Sequence, residues 1–398
     1  LEQEEMPDFL PNSPVRPIPQ DETAGEPEVG IALCLSGGGY RAMLFHVGAL
    51  WRLNQLGILR KLKRVSSVSG GSITAGVLGL NWSRLQFAPG TGVSAAFDEQ
   101  VVEPVRKLAA RTIDAWSIIV GGLLPGVTAS DRVAAAYDKH LFNGAKLSAL
   151  PADSEGPRFV INATNVQTGS LWRFSRPYMG DYQIGLIPNP KTRLAKAVAA
   201  SSAFPPVLSP CELDVNPDDF DPKSRGPLFM PPYNDEVVLS DGGVYDNLGL
   251  ETAYKRYRTI LVSDGGQKMG TEAEPDRNWA GHSLRVLGVI DNQVRSLRKR
   301  SLIDGYGRER SGAYWGIGSH FKDYQVSDPL KVGVADTSRL AATSTRLERM
   351  EPNLQERLIN WGYAICDAAL RKHCVTALKE HGVIMSESTQ LPYRESGL

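Results

Sequence analysis

The chain has 398 residues, room for one large α/β domain with insertions or for two to three smaller ones, and its 42% hydrophobic and 22% charged content is that of a globular protein. Lys and Arg number 44 and Asp and Glu number 44, so the formal net charge is zero, which argues against a dedicated nucleic-acid binder. Four cysteines with no C-x-x-C pair exclude a disulfide scaffold and a structural zinc site, and they fit a reducing compartment.

Residues 1–28 hold six Pro, eight acids and one base, a composition that cannot bury a core, so a loosely packed tail is expected. The start shows neither a basic n-region nor an apolar h-region, so a cytoplasmic location without a signal peptide is expected. The most apolar run, Ile118–Val127, is interrupted by Pro125 and is too short to span a membrane. Gly30–Leu35 reads as a strand, Ser36-Gly37-Gly38-Gly39 as a turn, and Tyr40–Leu56 as a helix with Met43, Leu44, Val47, Leu50 and Trp51 on one face. Val65–Val68, Gly70-Gly71 and Ser72–Leu80 repeat that strand, turn and helix, which predicts a parallel α/β sheet. Further strands are predicted at Arg158–Asn162, Glu236–Leu239 and Thr259–Val262, and helices at Leu194–Ala200 and Asn247–Tyr257. Asp214–Asp235 reads as a long Pro/Asp-rich loop suited to cover a site. The last third reads as mainly helical, with apolar stripes Leu287, Ile290, Val294, Leu297 and Leu354, Leu358, Trp361, Ile365, and Ser386–Leu398 as a frayed end.

The first glycine turn has three readings: a packing turn, a phosphate cradle, or an oxyanion hole of backbone N–H groups at a helix N-terminus. A phosphate loop needs Gly-Lys-Ser/Thr, which is absent. A dinucleotide site needs an acid about 20 residues on, and Ile31–Phe97 contains no Asp or Glu against seven Arg or Lys. In the second turn Ser69 stands between strand and helix, with the small residues Ser67 and Gly71 two before and two after it, as a strained nucleophile elbow requires. Ser66, Ser67 and Ser72 compete with it.

A serine needs a base. None of the six histidines sits in a Gly-flanked turn after a predicted strand. His46 reads as a packed helix residue, and His282 is the best remaining partner for a Ser-His-Asp esterase. Asp241 ends an apolar strand before Gly242 and Gly243, on the rim where parallel sheets place their sites. Asp264 repeats the same letters in Ser263-Asp264-Gly265-Gly266.

Together these segments resemble the patatin-like phospholipase family. Gly37-Gly38-Gly39-Tyr40-Arg41 is similar to its oxyanion loop. Ser67-Val68-Ser69-Gly70-Gly71 is similar to its nucleophile elbow, with Ser67 where a glycine is usual. Ala199–Pro206 is similar to its A-S-x-A-x-P segment, and Asp241-Gly242-Gly243 to its D-G-G/A motif. The resemblance runs from about Val29 to Asp264. The segments Asp291–Arg300 and Asn360–Arg371 are also similar to those of a larger bacterial branch. It implies a three-layer α/β sandwich around a mainly parallel sheet, with a catalytic core at 29–270, a helical extension at 271–385 and a flexible tail at 386–398. It implies a Ser69–Asp241 dyad, an oxyanion hole among Gly37, Gly38, Gly39 and Gly70, and Arg41, Ser67, Gly71, Gly242 and Gly243 in support. It also implies acyl-ester hydrolysis of phospholipids or related lipids with no metal and no cofactor, and it favours Asp241 over Asp264. A catalytically silent lipid-binding protein of the same fold is the other alternative.

Arg41, a cation in the first turn of its helix, is expected to meet a carboxylate or a lipid phosphate. Arg295, Arg298, Lys299 and Arg300 form a basic face suited to an anionic membrane surface, and Trp116–Val127 is a second candidate for membrane contact. The expectation for the basic helix is that its apolar stripe packs on the sheet.

Overall fold

A computed structural model of the chain describes residues 26–113, 128–266, 269–333, 335 and 337–398. The apolar segment Trp116–Val127 lies outside the described residues, as does most of the N-terminal tail.

Ten strands make one sheet: β1 (Glu28–Leu35), β2 (Leu62–Ser67), β3 (Arg158–Asn165), β4 (Ser170–Phe174), β5 (Tyr178–Asp181), β6 (Gly185–Pro188), β7 (Cys211–Asp214), β8 (Glu236–Asp241), β9 (Tyr257–Asp264) and β10 (Ser311–Gly316). The main path runs β10-β9-β1-β2-β3-β4-β5-β6. The first five strands of that path are parallel, and the β3–β6 run is an antiparallel meander. β1 is a short apolar run buried on both faces, as a central parallel strand must be.

Five helices carry the argument: α1 (Gly39–Gln55), α2 (Gly70–Leu80), α3 (Leu194–Ser201), α4 (Trp279–Gly305) and α5 (Pro352–His373). Ile31, Leu33 and Leu35 of β1 point into the larger core, which holds the apolar residues of α1, α2, α3 and α5. Ala32 and Cys34 point the other way, into a small core with Leu248, Leu250, Ala253, Ile260, Val262 and Leu302. The sheet is therefore covered on both faces, thickly on one and thinly on the other. A buried Arg52–Asp367 ion pair, at 2.7 Å, joins α1 to α5.

Several expectations are corrected. Asn247–Tyr257 is not one helix: it holds only the short helix Glu251–Tyr254 before β9 begins. The C-terminal third, expected to be mainly helical, also supplies a strand, because β10 extends the sheet beyond β9. Its sequence, SGAYWG, is too short and too glycine-rich to stand out. The final residues lie against α5, where the Asn360 amide donates to Tyr393 O and Gly397 O, both at 2.8 Å. The Asp214–Asp235 loop winds into two short 3-10 turns and packs Phe220 edge-on against Phe229, away from the residues that line the cleft described below.

β3 changes partner along one edge. Its first half pairs with β2, ending at Ser67 opposite Ile161, and its last residues pair with β8, with Asp241 opposite Ala163. β8 runs antiparallel to β3, whereas β2 is parallel to it. The C-terminal ends of β2 and β8 therefore meet nearly head to head along a single strand. This corrects the reason for which Asp241 was expected at the site: it is not on a parallel rim but arrives from the opposite direction.

Candidate active site

Ser69 follows β2 and stands at the N-cap of α2 with φ 51° and ψ −121°, a strained backbone for a residue with a side chain. Its hydroxyl caps no helical amide, and the residue lines a cleft of about 420 Å³. Its amide is held by the Ser201 hydroxyl at 2.9 Å. Ser201 in turn donates to Asn162 O at 2.6 Å and lies 2.9 Å from the Ser72 hydroxyl, which donates to Ser67 Oγ at 3.0 Å. Ser67 thus occupies the place of a glycine by joining a buried hydroxyl chain, and the competitors Ser66, Ser67 and Ser72 are all fully buried. A Cβ on Gly71 would stand 2.4 Å from Leu35 O, which explains the size limit two residues past Ser69.

Asp241 ends β8 in the same cleft. Its backbone is fixed by donation to Ala203 O at 2.9 Å and by the Thr164 hydroxyl, which donates to its carbonyl at 2.8 Å. Gly243 N–H donates to Oδ1 at 2.6 Å, while Oδ2 is buried without a hydrogen-bond partner. Burial pushes the carboxyl pKa up to about 7, against the opposing pull of the Gly243 amide and the neighbouring Ser69 hydroxyl. The Ala199–Pro206 segment is the bracket of the pair: Ser201 positions Ser69, its carbonyl accepts from Gly242 N–H at 3.2 Å, and Ala203 O receives the Asp241 amide.

The N-termini of α1 and α2 abut beside this pair. Gly38 has φ 141°, which a residue with a side chain rarely adopts, and a Cβ on Gly70 would stand 2.2 Å from Gly39 O. Gly39 and Gly70 are the first residues of their helices, so their amides lack an intrahelical acceptor, and both helix dipoles present their positive ends to the cleft. Gly37 is different: its N–H donates to Asn247 O at 3.1 Å, so it is engaged in holding the loop and leaves the expected set of oxyanion donors.

Arg41 is buried, and the partners described for it are backbone carbonyls, with the Asp264 carboxylate acting on it electrostatically. Its guanidinium donates to Gly265 O at 3.0 and 3.2 Å, to Ala341 O at 3.1 Å and to Thr343 O at 2.8 Å. It fastens the segment leading to Thr345, Arg346 and Leu347, which line the cleft above the glycine loop. Burial lowers its pKa to about 10.

His46 is buried as expected, with Nε2 on Ser36 O at 2.9 Å and Nδ1 on Ser263 Oγ at 2.8 Å, and burial lowers its pKa to about 4. His282 is exposed on α4 and does not line the cleft. It lies nine residues, or about 13 Å of helix rise, before Asp291, the first residue of α4 that reaches the cleft. The structure therefore does not bring together a Ser-His-Asp set with His282. Among the described residues no group of three His, Cys, Asp or Glu side chains could hold a metal ion.

The remaining walls are Phe204, Pro205, Pro206, Val207 and Leu208, with Asn247, Asp291 and Arg295. Sequence reasoning quoted the Ala199–Pro206 segment without seeing Ser201 as a strut, and it missed Asn162, Asn247 and Thr345–Leu347. Nothing in the local spelling of those positions marks them.

A mixed α/β sheet thus brings a serine on a strained turn, a buried aspartate and two helix N-termini to one cleft. Residues 33–254 match the sequence pattern of the patatin-like phospholipase family, and the chain belongs to that family. Among solved structures it is similar to human GIVD cytosolic phospholipase A2 in complex with a methyl gamma-linolenyl fluorophosphonate inhibitor and terbium chloride, at 15% identity and a TM-score of 0.48, covering 89% of this chain and 59% of that one. It is also similar to VipD from Legionella pneumophila, at 16% identity and a TM-score of 0.37, covering 87% of this chain and 67% of that one. The chain thus spans 59% and 67% of the length of these two structures. A comparison with curated proteins gives no match.

Proposed function

We propose that the protein is a serine acyl hydrolase that cleaves fatty-acyl esters of phospholipids or related lipids with Ser69 as nucleophile and Asp241 as general base. One observation carries the reading: a buried carboxyl, Asp241, keeps Oδ2 without a hydrogen-bond partner among the described residues and interacts with the hydroxyl of a serine on a strained turn. Family membership supports the lipid class.

In this mechanism Asp241 takes the Ser69 proton as Oγ attacks the ester carbonyl carbon. The amides of Gly38, Gly39 and Gly70 stabilise the negative charge that develops on the carbonyl oxygen; a donor of this kind is worth about 3 kcal/mol in known enzymes. The tetrahedral intermediate collapses, Asp241 returns the proton to the departing alcohol, and an acyl-Ser69 ester remains. Water attacks it, again giving its proton to Asp241, and as this second tetrahedral intermediate collapses Asp241 returns the proton to Ser69 Oγ and the fatty acid leaves. The apolar wall Phe204–Leu208 suits the acyl chain.

The test is a lipid hydrolysis panel with products identified by mass, run on wild type and Ser69→Ala, together with fluorophosphonate labelling. Wild type is expected to release fatty acid and to be labelled at Ser69. Ser69→Ala, still folded, is expected to do neither. Full activity in the variant, or labelling at Ser66 or Ser72, overturns the assignment.

A further inference from the structure

α4 is turned inside out relative to an ordinary surface helix. Arg300 and Asp304 near its C-terminal end are exposed, while charged residues along its length face the body of the protein: Arg285 pairs with Glu272 at 3.4 Å and donates to Gly270 O at 2.8 Å. Arg298 pairs with Glu251 at 3.2 Å and Asp246 at 3.8 Å and donates to Tyr245 O at 3.2 Å. The Lys299 ammonium lies 4.2 Å from the centre of the Tyr314 ring. Arg295 and Asp291 line the cleft. In the whole helix only Leu302 and Gly305 are buried.

The apolar stripe faces outward. Trp279 is 85% exposed, Leu287 58%, Ile290 50% and Leu297 49%, and Val286, Val289 and Val294 are exposed beside them. Among the exposed positions from Trp279 to Leu297 the one charged residue is Asp291, which belongs to the cleft wall. The strip runs for about 27 Å of helix. Monomeric proteins rarely leave such a surface in water.

A second element puts apolar groups at the same opening. Phe204, 61% exposed, lines the cleft, and Val244, next to the cleft residue Gly243, is also exposed. Two segments distant in sequence therefore place unpartnered apolar side chains around one mouth. A single partner helix would match the α4 stripe alone. An extended apolar medium matches both, and it is also where the acyl chains come from.

We propose that the outward face of α4, with Phe204, enters the apolar boundary of a phospholipid bilayer and holds the cleft mouth against it. The proposal rests on reading the cleft as a lipid acyl hydrolase site. Because Arg285, Arg298 and Lys299 are engaged with the protein and Arg300 alone of the basic run is exposed, the docking is apolar in origin, and anionic lipid is not required for it. This replaces both sequence-based readings of the helix, a stripe packed on the sheet with solvated charges and a basic face turned to an anionic membrane.

The experiment uses the full chain and the triple variant L287S/I290S/L297S, whose positions are exposed and outside the cleft. Flotation with vesicles of pure phosphatidylcholine, and of phosphatidylcholine with added phosphatidylglycerol, is measured at low and high sodium chloride. Turnover is followed on the same vesicles and on a water-soluble short-chain ester, and mass in solution by sedimentation. Wild type is expected to float with both vesicle types at both salt levels. The triple variant is expected to bind at least about tenfold more weakly, since each lost side chain removes buried apolar area. Its vesicle turnover falls with its binding and its soluble-ester turnover stays at the wild-type level, which also reports that it is folded. Undiminished flotation of the variant, or binding that requires phosphatidylglycerol and is released by salt, overturns the proposal. So does a wild-type dimer that the triple substitution splits while neither protein floats, in which case a second copy covers the face. Flotation by wild type without hydrolysis of either ester leaves the docking intact and removes the hydrolase reading.

Discussion

The chain spells Ser-Asp-Gly-Gly twice, at the ends of β8 and β9, and the two turns are locally alike. Gly243 N–H donates to Asp241 Oδ1 at 2.6 Å, and Gly266 N–H donates to Asp264 Oδ1 at 2.9 Å. Both aspartates are buried. They differ in the second oxygen: Asp264 Oδ2 accepts from the Tyr314 hydroxyl at 2.7 Å, while Asp241 Oδ2 is without a hydrogen-bond partner and the Asp241 carboxyl has the Ser69 hydroxyl as a neighbour. They also differ in strand direction, since β9 is parallel to β1 and β8 is antiparallel to β3. By the rule that parallel sheets place sites at their C-terminal rim, Asp264 is the better candidate. The geometry favours the other residue, because a reactive carboxylate is defined by what it leaves unpaired and what stands opposite, and neither is written in the motif.

The largest effect expected from this contrast is on turnover. Asp241→Asn keeps the shape and the Gly243 contact but cannot accept a proton, so kcat is expected to fall by about 10²–10⁴-fold. Asp264→Asn should change kcat by only a few-fold, through the nearby Gly265 and Arg41 contacts. Steady-state kinetics on a soluble ester measures both, and the reverse ranking exchanges the roles of the two turns.

The pH dependence is the next largest. The base must be ionised, and burial raises the Asp241 pKa to about 7. On the acid side kcat/KM should drop about tenfold per pH unit below that value. Stability moves the opposite way. The folded state holds a proton that the unfolded chain gives up near 3.8, the ordinary value of an aspartate, so stability falls as pH rises from there to about 7 and levels off above. Asp241→Asn carries no such charge and should melt at a higher temperature than wild type at pH 8. A wild-type rate limb near the ordinary carboxylate range, or a lower melting point in the variant, contradicts the buried-base account. Asp264→Asn should leave the rate limb where it is.

Much of the central fold is legible because it is local. The β1–α1 and β2–α2 units announce themselves through apolar runs, glycine turns and helical period, and these elements place the helix N-termini at Gly39 and Gly70. The strained position of Ser69 follows from the same reading. What was not legible depends on partners distant in the chain. The head-to-head meeting of β2 and β8 is decided by β3 changing partner between Ile161 and Ala163. The withdrawal of Gly37 depends on Asn247 O, and the fate of Arg41 on carbonyls some 224 to 302 residues away. The helical period of α4 is visible in its sequence, but period states that two faces differ and not which one turns outward. That choice was made by Glu251, Asp246 and Tyr314, which engage Arg298 and Lys299 and so turn the charged side inward.

The smallest predicted effect separates two explanations of why Asp264 would not serve as the base in the proposed mechanism. Either its second oxygen is occupied by Tyr314, or it stands opposite no activated serine, since it does not line the cleft that holds Ser69. Tyr314→Phe removes the hydroxyl and leaves a buried carboxylate oxygen unpaired, which reproduces at Asp264 the condition seen at Asp241. A hydrogen bond to a charged group contributes about 1.5–3 kcal/mol, so chemical denaturation should show a loss of that order. Turnover in Tyr314→Phe should remain near wild type, because Ser69 and Asp241 are untouched. The deciding protein is the double variant Asp241→Asn with Tyr314→Phe. If occupancy by Tyr314 were the whole difference, freeing Asp264 would restore part of the lost hydrolysis. If the facing serine matters, the double variant stays as inactive as Asp241→Asn alone. The second outcome is expected, because proton transfer requires the base within hydrogen-bond reach of the hydroxyl it serves, and a free oxygen elsewhere in the sheet cannot substitute for that distance.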